Sequence, residues 1–416
     1  MCVVVVRSGI QRTNSRARVV RASSSEEMRL KQTNLHSTTH AHATHIETNQ
    51  MPARLDALGT VTTSRRPMWH ACFDATRSDV AFAACADGTT TRVRCVSETR
   101  MGKQCDLWTD VEHLSPHERA VRACAVSPCG RMLATASFDG TCGVFVKTRG
   151  DAMMTEEDGD EDEGGSDGET WRRACALEGH ESEVKSCAWS PSGALLATCG
   201  RDRTVWVWEA HGEDEFECVA ALHGHGGDVK RVVWHPTEDV LVSVSYDESV
   251  RIWKEDADGD DWSCAKVLGG EDASGEAAEK GHQGTVWCAS FEPREREDGV
   301  AGTRAVTCGG DGALIVWNGT GFCNTDLEFG SRFPCGHDRA VLACAWGKHG
   351  VVAAGGGDNS IRLYAETNDG TWCEIASVPN AHDDDVNHVE WSPHDSSLLI
   401  SASDDGTVKT WRYVAA

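Results

Sequence analysis

Leu177–Glu209 reads LEGHESEVKSCAWSPSGALLATCGRDRTVWVWE. A Gly-His pair opens it. An apolar run follows, then a Ser-Pro turn, a second apolar run, an Asp in a Gly-Arg-Asp turn and a third run that closes on Trp208. Short apolar runs bounded by turn residues read as antiparallel strands. The pattern returns with a period of about 45 residues. The Asp lies 22 residues after the His in His117/Asp139, His180/Asp202 and His225/Asp247, 21 after it in His337/Asp358 and 23 after it in His382/Asp405. In His282/Asp311 the gap is 29, with a charged insertion at Glu292–Thr303. An aromatic follows each Asp by six: Phe145, Trp208, Trp253, Trp317, Tyr364 and Trp411. A Ser or Thr precedes it by four in five units: Thr135, Thr198, Ser243, Thr307 and Ser401.

Evenly spaced short strands with a Gly-His and a Trp mark in each unit are the cue for a WD-repeat β-propeller. Four units carry the whole set: His180, Thr198, Asp202 and Trp208; His225, Ser243, Asp247 and Trp253; His282, Thr307, Asp311 and Trp317; His382, Ser401, Asp405 and Trp411. Within one blade such a set can form a single buried hydrogen-bond chain, tolerable only if every member is paired. A Ser-His-Asp catalytic set uses the same residue types, but one enzyme has no need of it once per repeat. The reading is therefore structural. A degraded seventh unit precedes the six at Met68–Cys95. It keeps Asp87 and Gly88 but has Arg65 at the His position and Val93 at the aromatic one. The last unit stops at a third strand, Thr407–Tyr413, so the start of the domain, near Arg54–Val61, is expected to supply the fourth and leave no open edge. The expected fold is all-β, a seven-bladed WD-repeat β-propeller over 51–416 with a disordered N-terminal extension at 1–50.

The chain has 416 residues, 40 Lys+Arg against 65 Asp+Glu and a formal charge of −25. No stretch approaches the roughly 18 apolar residues of a membrane span, and the acidic balance argues against direct nucleic-acid binding. The charge is unevenly spread. The first 25 residues hold five Arg and no acid, a composition shared by organelle transit peptides; a disordered basic tail also reads from it, and translation starting at Met51 is the favoured reading, because the folded pattern begins soon after Met51. The His-rich run Thr38–His45 is a low-complexity tract. Asp151–Glu169 is almost all acid, Gly and Ser, and is expected to be a disordered loop. The 19 cysteines run from Cys2 to Cys373 without a Cys-x-x-Cys pair, against a disulfide scaffold or zinc ribbon and for buried free thiols. Cys124, Cys187, Cys199, Cys288, Cys308 and Cys344 fall at inward strand positions and are expected to pack the core, with no metal and no cofactor.

Several blades are more specific. ATCGRDRTVWVWE (197–209), DVKRVVWHP (228–236), SVSYDESVRIWKEDADGDDW (243–262) and GTVWCASFEP (284–293) resemble the cytosolic iron–sulfur protein assembly WD-repeat family, the Ciao/Cia propellers. The resemblance is densest from Ala120 to Trp317 and continues more loosely from Met51 to Trp411. It implies a noncatalytic scaffold that joins a MIP18-type partner and a HEAT-repeat partner in a targeting complex, serving cytosolic and nuclear apoprotein clients. It also implies a cytoplasmic location, with the nucleus open and organelle targeting by residues 1–50 not excluded.

The repeat also sorts residues by face. The residue before each Asp and the residue 17 before it are expected at one rim. Blades one to five then present Trp69, Arg122, Phe138, Lys185, Arg201, Lys230, Tyr246 and Trp287 together. Aromatics and Arg dominate binding hot spots, and this patch is read as free of carboxylates in blades two to five. The resemblance singles out Arg201, whose Gly-Arg-Asp turn matches a partner-facing Ser-Arg-Asp turn in the family; its guanidinium could pair bidentately with a partner carboxylate. The acidic runs after Phe145, Trp208 and Trp253 are expected on the opposite rim. The alternative reading is a WD-repeat substrate receptor or histone-binding adaptor. Ubiquitin-ligase receptors carry Trp-Asp-x-Arg after the blade aromatic, whereas the followers here are Val146, Glu209, Lys254, Asn318, Ala365 and Arg412. No nucleophile motif, phosphate loop or zinc-ligand spacing points to an enzyme.

Overall fold

The computed structural model describes residues 52–416 except 63–65, 101–102, 115–116, 150–168, 257–258, 260, 274–278, 294–302 and 320–325. The expectations for residues 1–50, for nearly all of the acidic loop and for most of the blade-five insertion lie outside the described residues. Glu169, expected in that loop, instead opens the strand Glu169–Glu178.

The described chain is almost entirely strand, in seven four-stranded antiparallel sheets. Six are sequential meanders: Met68–Leu114, Val121–Glu178, Val184–Leu222, Val229–Leu268, Val286–Pro334 and Val341–Val378. The seventh joins Val386–Trp391, Leu398–Ser403 and Thr407–Val414 to Arg54–Thr62, which pairs antiparallel with the last strand from Arg54↔Val414 to Thr62↔Thr407. Each sheet's first strand packs on the first strand of the next, and that of the seventh packs back on that of the first. The sheets therefore form a closed ring of seven blades with the first strands innermost.

The first strands begin with Met68, Val121, Val184, Val229, Val286, Val341 and Val386, all fully buried. The core is split into clusters that straddle neighbouring blades. One such cluster joins Val144 and Leu177 of blade two to Val184, Trp189 and Trp208 of blade three. Between the second and third strands of each blade the chain makes a tight turn. The residue after its Asp sits at positive φ, as Gly88, Gly140, Gly312 and Gly406 in four blades and as Arg203, Glu248 and Asn359 in the other three. A side chain there carries the cost of the left-handed conformation.

Candidate functional site

In the four complete blades the hydrogen bonds run in one direction. Trp208 Nε1–H donates to Thr198 Oγ1 at 3.0 Å, the Thr198 hydroxyl meets His180 Nε2 at 2.9 Å, and His180 Nδ1–H meets Asp202 Oδ2 at 2.7 Å. The same links measure 2.7, 2.7 and 2.9 Å for Trp253–Ser243–His225–Asp247, and 2.8, 2.7 and 2.9 Å for Trp411–Ser401–His382–Asp405. For Trp317–Thr307–His282–Asp311 they measure 2.9, 2.8 and 3.1 Å. The chain ends on a carboxylate that is itself satisfied. Asp202 also accepts from the Thr204 hydroxyl at 2.7 Å and from the backbone N–H groups of Thr204 and Glu181, both at 3.1 Å. Burial alone would raise these carboxyls; the histidine and hydroxyl donors reverse that and hold Asp202 and Asp358 down to about 2. Asp311 is held to about 2 as well, there by His282, the Gln283 N–H and Arg332. Burial pushes His225, His337 and His382 below their ordinary value, against the pull of the Asp partners. The set is inward, paired and consumed by its own blade, and it leaves no reactive group facing solvent.

The face residues owe their direction to a repeated irregularity. In every first strand the pairing register shifts at the second residue, between Met68/His70, Val121/Ala123, Val184/Ser186, Val229/Arg231, Val286/Cys288, Val341/Ala343 and Val386/His388. A bulge re-aims the extra side chain. The bulged residues are Trp69, Arg122, Lys185, Lys230, Trp287, Leu342 and Asn387. Around blades one to five they meet the turn residues in an arc of cations and rings. The Arg122 guanidinium lies 5.7 Å from the centre of the Trp69 ring and donates to the Trp69 carbonyl at 2.9 Å. Trp69 lies 5.2 Å from Phe138, and Lys185 Nζ sits 4.2 Å over Phe138. Lys230 Nζ sits between Tyr246 at 5.4 Å and Trp287 at 5.1 Å. Burial and the neighbouring Lys230 lower the Lys185 ammonium, while burial and Arg231 pull Arg122 down to about 10, still charged at neutral pH. Tyr246 is 62% exposed.

Arg201 is placed differently. Its guanidinium, with the side chain 59% exposed, reaches Glu183 at 3.3 Å. Glu183 also takes Arg119 at 3.3 Å and the Ser182 hydroxyl at 2.7 Å. The Ser182 hydroxyl, the Glu183 N–H and Arg201 together hold its carboxyl down to about 2. The patch is thus not free of carboxylates. Glu183 lies beside Arg201, and Asp228 lies 3.4 Å from Lys230. Both stand two residues before a bulged cation, a position that the spacing argument did not sample. Arg119, also outside the positions sampled, adds a second exposed cation beside Arg201. At the blade-seven end, Asp404 accepts from Trp69 Nε1 at 3.1 Å and from Asn387 at 2.7 Å.

Beneath the arc lies a polar centre with no counterpart in the expectations. Half-buried Arg231 acts electrostatically on His70, Arg122, Cys187, Cys288, Cys344, His388 and Glu390, which come from the six other first strands. Burial raises the Glu390 carboxyl to about 7 although it accepts from Phe73 N–H at 3.0 Å. The six expected core cysteines are all buried and free.

The chain matches the family model of the WD domain, G-beta repeat, over 108–145, 171–209, 216–254, 277–318, 330–365 and 373–412. It is 42% identical over 310 residues to the probable cytosolic iron-sulfur protein assembly protein 1 of Vanderwaltozyma polyspora, covering 72% of this chain and 82% of the relative. The proteins of the same name from Scheffersomyces stipitis and Aspergillus terreus are 37% and 35% identical, covering 71% and 79% of this chain and 84% and 91% of theirs.

Proposed function

Because the chain belongs to the cytosolic iron–sulfur protein assembly family of WD-repeat propellers, we propose that it is a noncatalytic, cytosolic scaffold that brings apoprotein clients to the iron–sulfur assembly machinery. Its partners in this reading are a MIP18-type protein and a HEAT-repeat protein. The observation that carries it is the arc Arg122–Trp69–Phe138–Lys185 and Lys230–Tyr246–Trp287, a cationic and aromatic rim on an otherwise acidic chain. Rings held open by cations offer large apolar contact area at low entropic cost, and the cations steer an acidic partner segment. Arg201, tethered by Glu183 yet largely exposed, can exchange that carboxylate for one on a partner without being left unpaired.

The test is capture of the purified MIP18-type partner by wild type, Lys230→Glu, Arg201→Glu and, as a control on the opposite rim, Glu213→Lys. Arg201→Glu and Lys230→Glu are expected to bind roughly tenfold more weakly, about 1.4 kcal/mol, with melting temperatures near wild type. Equal capture by all four proteins sinks the assignment of this face.

A further inference from the structure

His70, Cys72 and Cys124 stand together below the rim, where blade one meets blade two. All three are buried, at 4%, 5% and 0% exposure. Cys72 Sγ lies 3.6 Å from Cys124 Sγ, and Cys124 Sγ lies 3.8 Å from His70 Nδ1. All three ligand atoms fall within 4.8 Å of one another. The strand geometry produces this directly. His70 and Cys72 are two apart on Met68–Phe73 and project to the same side. Cys124 is delivered by the adjacent first strand, Val121–Val126, packed against it in the ring.

We propose that His70, Cys72 and Cys124 form a mononuclear Zn²⁺ site that fastens blade one to blade two. With bonds of about 2.3 Å to sulfur and about 2.0 Å to nitrogen, a tetrahedral zinc sets its ligands about 3.8 Å apart for two sulfurs and about 3.6 Å apart for sulfur and nitrogen. The two measured edges, 3.6 and 3.8 Å, fall within about 0.2 Å of these values. A thiolate–imidazole donor set suits zinc rather than the harder divalent ions. Charge points the same way. Arg122 and Arg231 lie close enough to act on His70 and would repel a cation held by neutral donors. Two thiolates neutralise Zn²⁺ outright, so the filled site adds no net charge beside them. The location gives the site a purpose. The first three strands of blade one lie outside the matched repeats and the blade lacks the His–Asp chain, so it has the greatest need of a fastening to its neighbour. Three ligands fit one metal ion, and the site is distinct from any iron–sulfur cargo.

The experiment is metal analysis of the full chain purified under reducing conditions, followed by zinc removal and titration with Co²⁺. Wild type is expected to hold about one zinc per chain and, with Co²⁺, to show the ligand-field bands and thiolate charge transfer of a tetrahedral site. Cys72→Ser and Cys124→Ser are each expected to lose the metal. Cys335→Ser, a buried thiol in another blade, is expected to keep it. A wild-type chain with reduced thiols that holds no zinc and gives no cobalt spectrum overturns the proposal, as does a Cys72–Cys124 disulfide in the purified protein. Undiminished zinc in folded Cys72→Ser also overturns it. Should the serine variants fail to fold, the wild-type stoichiometry and cobalt spectrum decide alone.

Discussion

Asp202 anchors four hydrogen bonds. Asp202→Ala takes the 2.7 Å acceptor from the buried His180 Nδ1–H, leaving it only the Thr204 hydroxyl at 3.3 Å, and removes the acceptor of that hydroxyl, which also receives Trp206 Nε1 at 2.9 Å. At about 1–3 kcal/mol for an orphaned buried donor, the variant is expected to unfold at lower denaturant with an unchanged slope. An unshifted midpoint in chemical denaturation refutes the structural role. Blade six offers the converse case. The position four before Asp358 is Ala354, which lacks a hydroxyl, and His337 Nε2 is buried there without a hydrogen-bond partner. The aromatic hydroxyl of Tyr364 turns instead to the Cys335 carbonyl. Ala354→Ser sets a donor where the complete blades hold one 2.7–2.9 Å from the imidazole, and is expected to gain about 0.5–1.5 kcal/mol. A loss of stability on calorimetry would mean that the fully buried site cannot admit one more oxygen. These chains were legible in the sequence because the hydroxyl and the aromatic stand at fixed offsets from one Asp, with the His 22 or 23 before it in three of the four complete blades. Glu183 and Arg119 were not, since they stand at positions outside the two offsets used, and the Arg119–Glu183 pair is a contact across blades that no spacing within a repeat encodes.

At the scale of the element, blade one shows what replaces a missing chain. Arg92 stands near the start of the blade's third strand, Thr90–Arg100, and is only 2% exposed. It donates to the Glu169 carbonyl at 3.2 Å and pairs with the Glu169 carboxylate at 3.4 Å and with Glu112 at 3.9 Å. Glu169, on the outer strand of blade two, also collects Arg77 at 3.0 Å and Lys147 at 3.5 Å. The weak blade is thus held by ion pairs that reach into its neighbour. Breaking a fully buried pair costs about 3–5 kcal/mol. Glu112 and Glu169 keep contact with water, so Arg92→Ala is expected to cost roughly 2–3 kcal/mol. A melting curve within error of wild type would show the network to be incidental. The sequence announced this blade only through Asp87 and Gly88, because an ion-pair network has no periodicity. The closing strand, by contrast, could be read by elimination: a last unit of three strands needs a fourth, and Leu55 and Val61 turn inward from Arg54–Thr62 to provide it.

Across the whole ring, repetition turns a small titration effect into a property of the molecule. His117, His225, His337 and His382 sit below their ordinary value because burial disfavours the imidazolium, so the folded chain keeps them neutral. An unfolded chain takes up those protons first as pH falls through about 6.5, so stability present above that value is lost below it. The aspartates act with the same sign lower down. Asp202, Asp311 and Asp358, held to about 2 by their donors, contribute stability above about 4 that disappears as pH falls from there toward their folded values. Glu390, raised to about 7 by burial, works in the opposite direction between about 4.3 and 7, but it is one group against these four histidines, with His70 and His388 lowered by burial as well. The melting temperature is therefore expected to fall from pH 7.5 to pH 5 and to fall again below pH 4. A ring whose melting temperature rose on acidification to pH 5 would require charged histidines in the folded blades, and with them a different proton order along the chains of His225 and His382. Because the four histidines are set in four separate blades, their protons add nearly independently. Replacing one, as in His225→Gln, should flatten the upper part of the profile and leave the lower part to the aspartates.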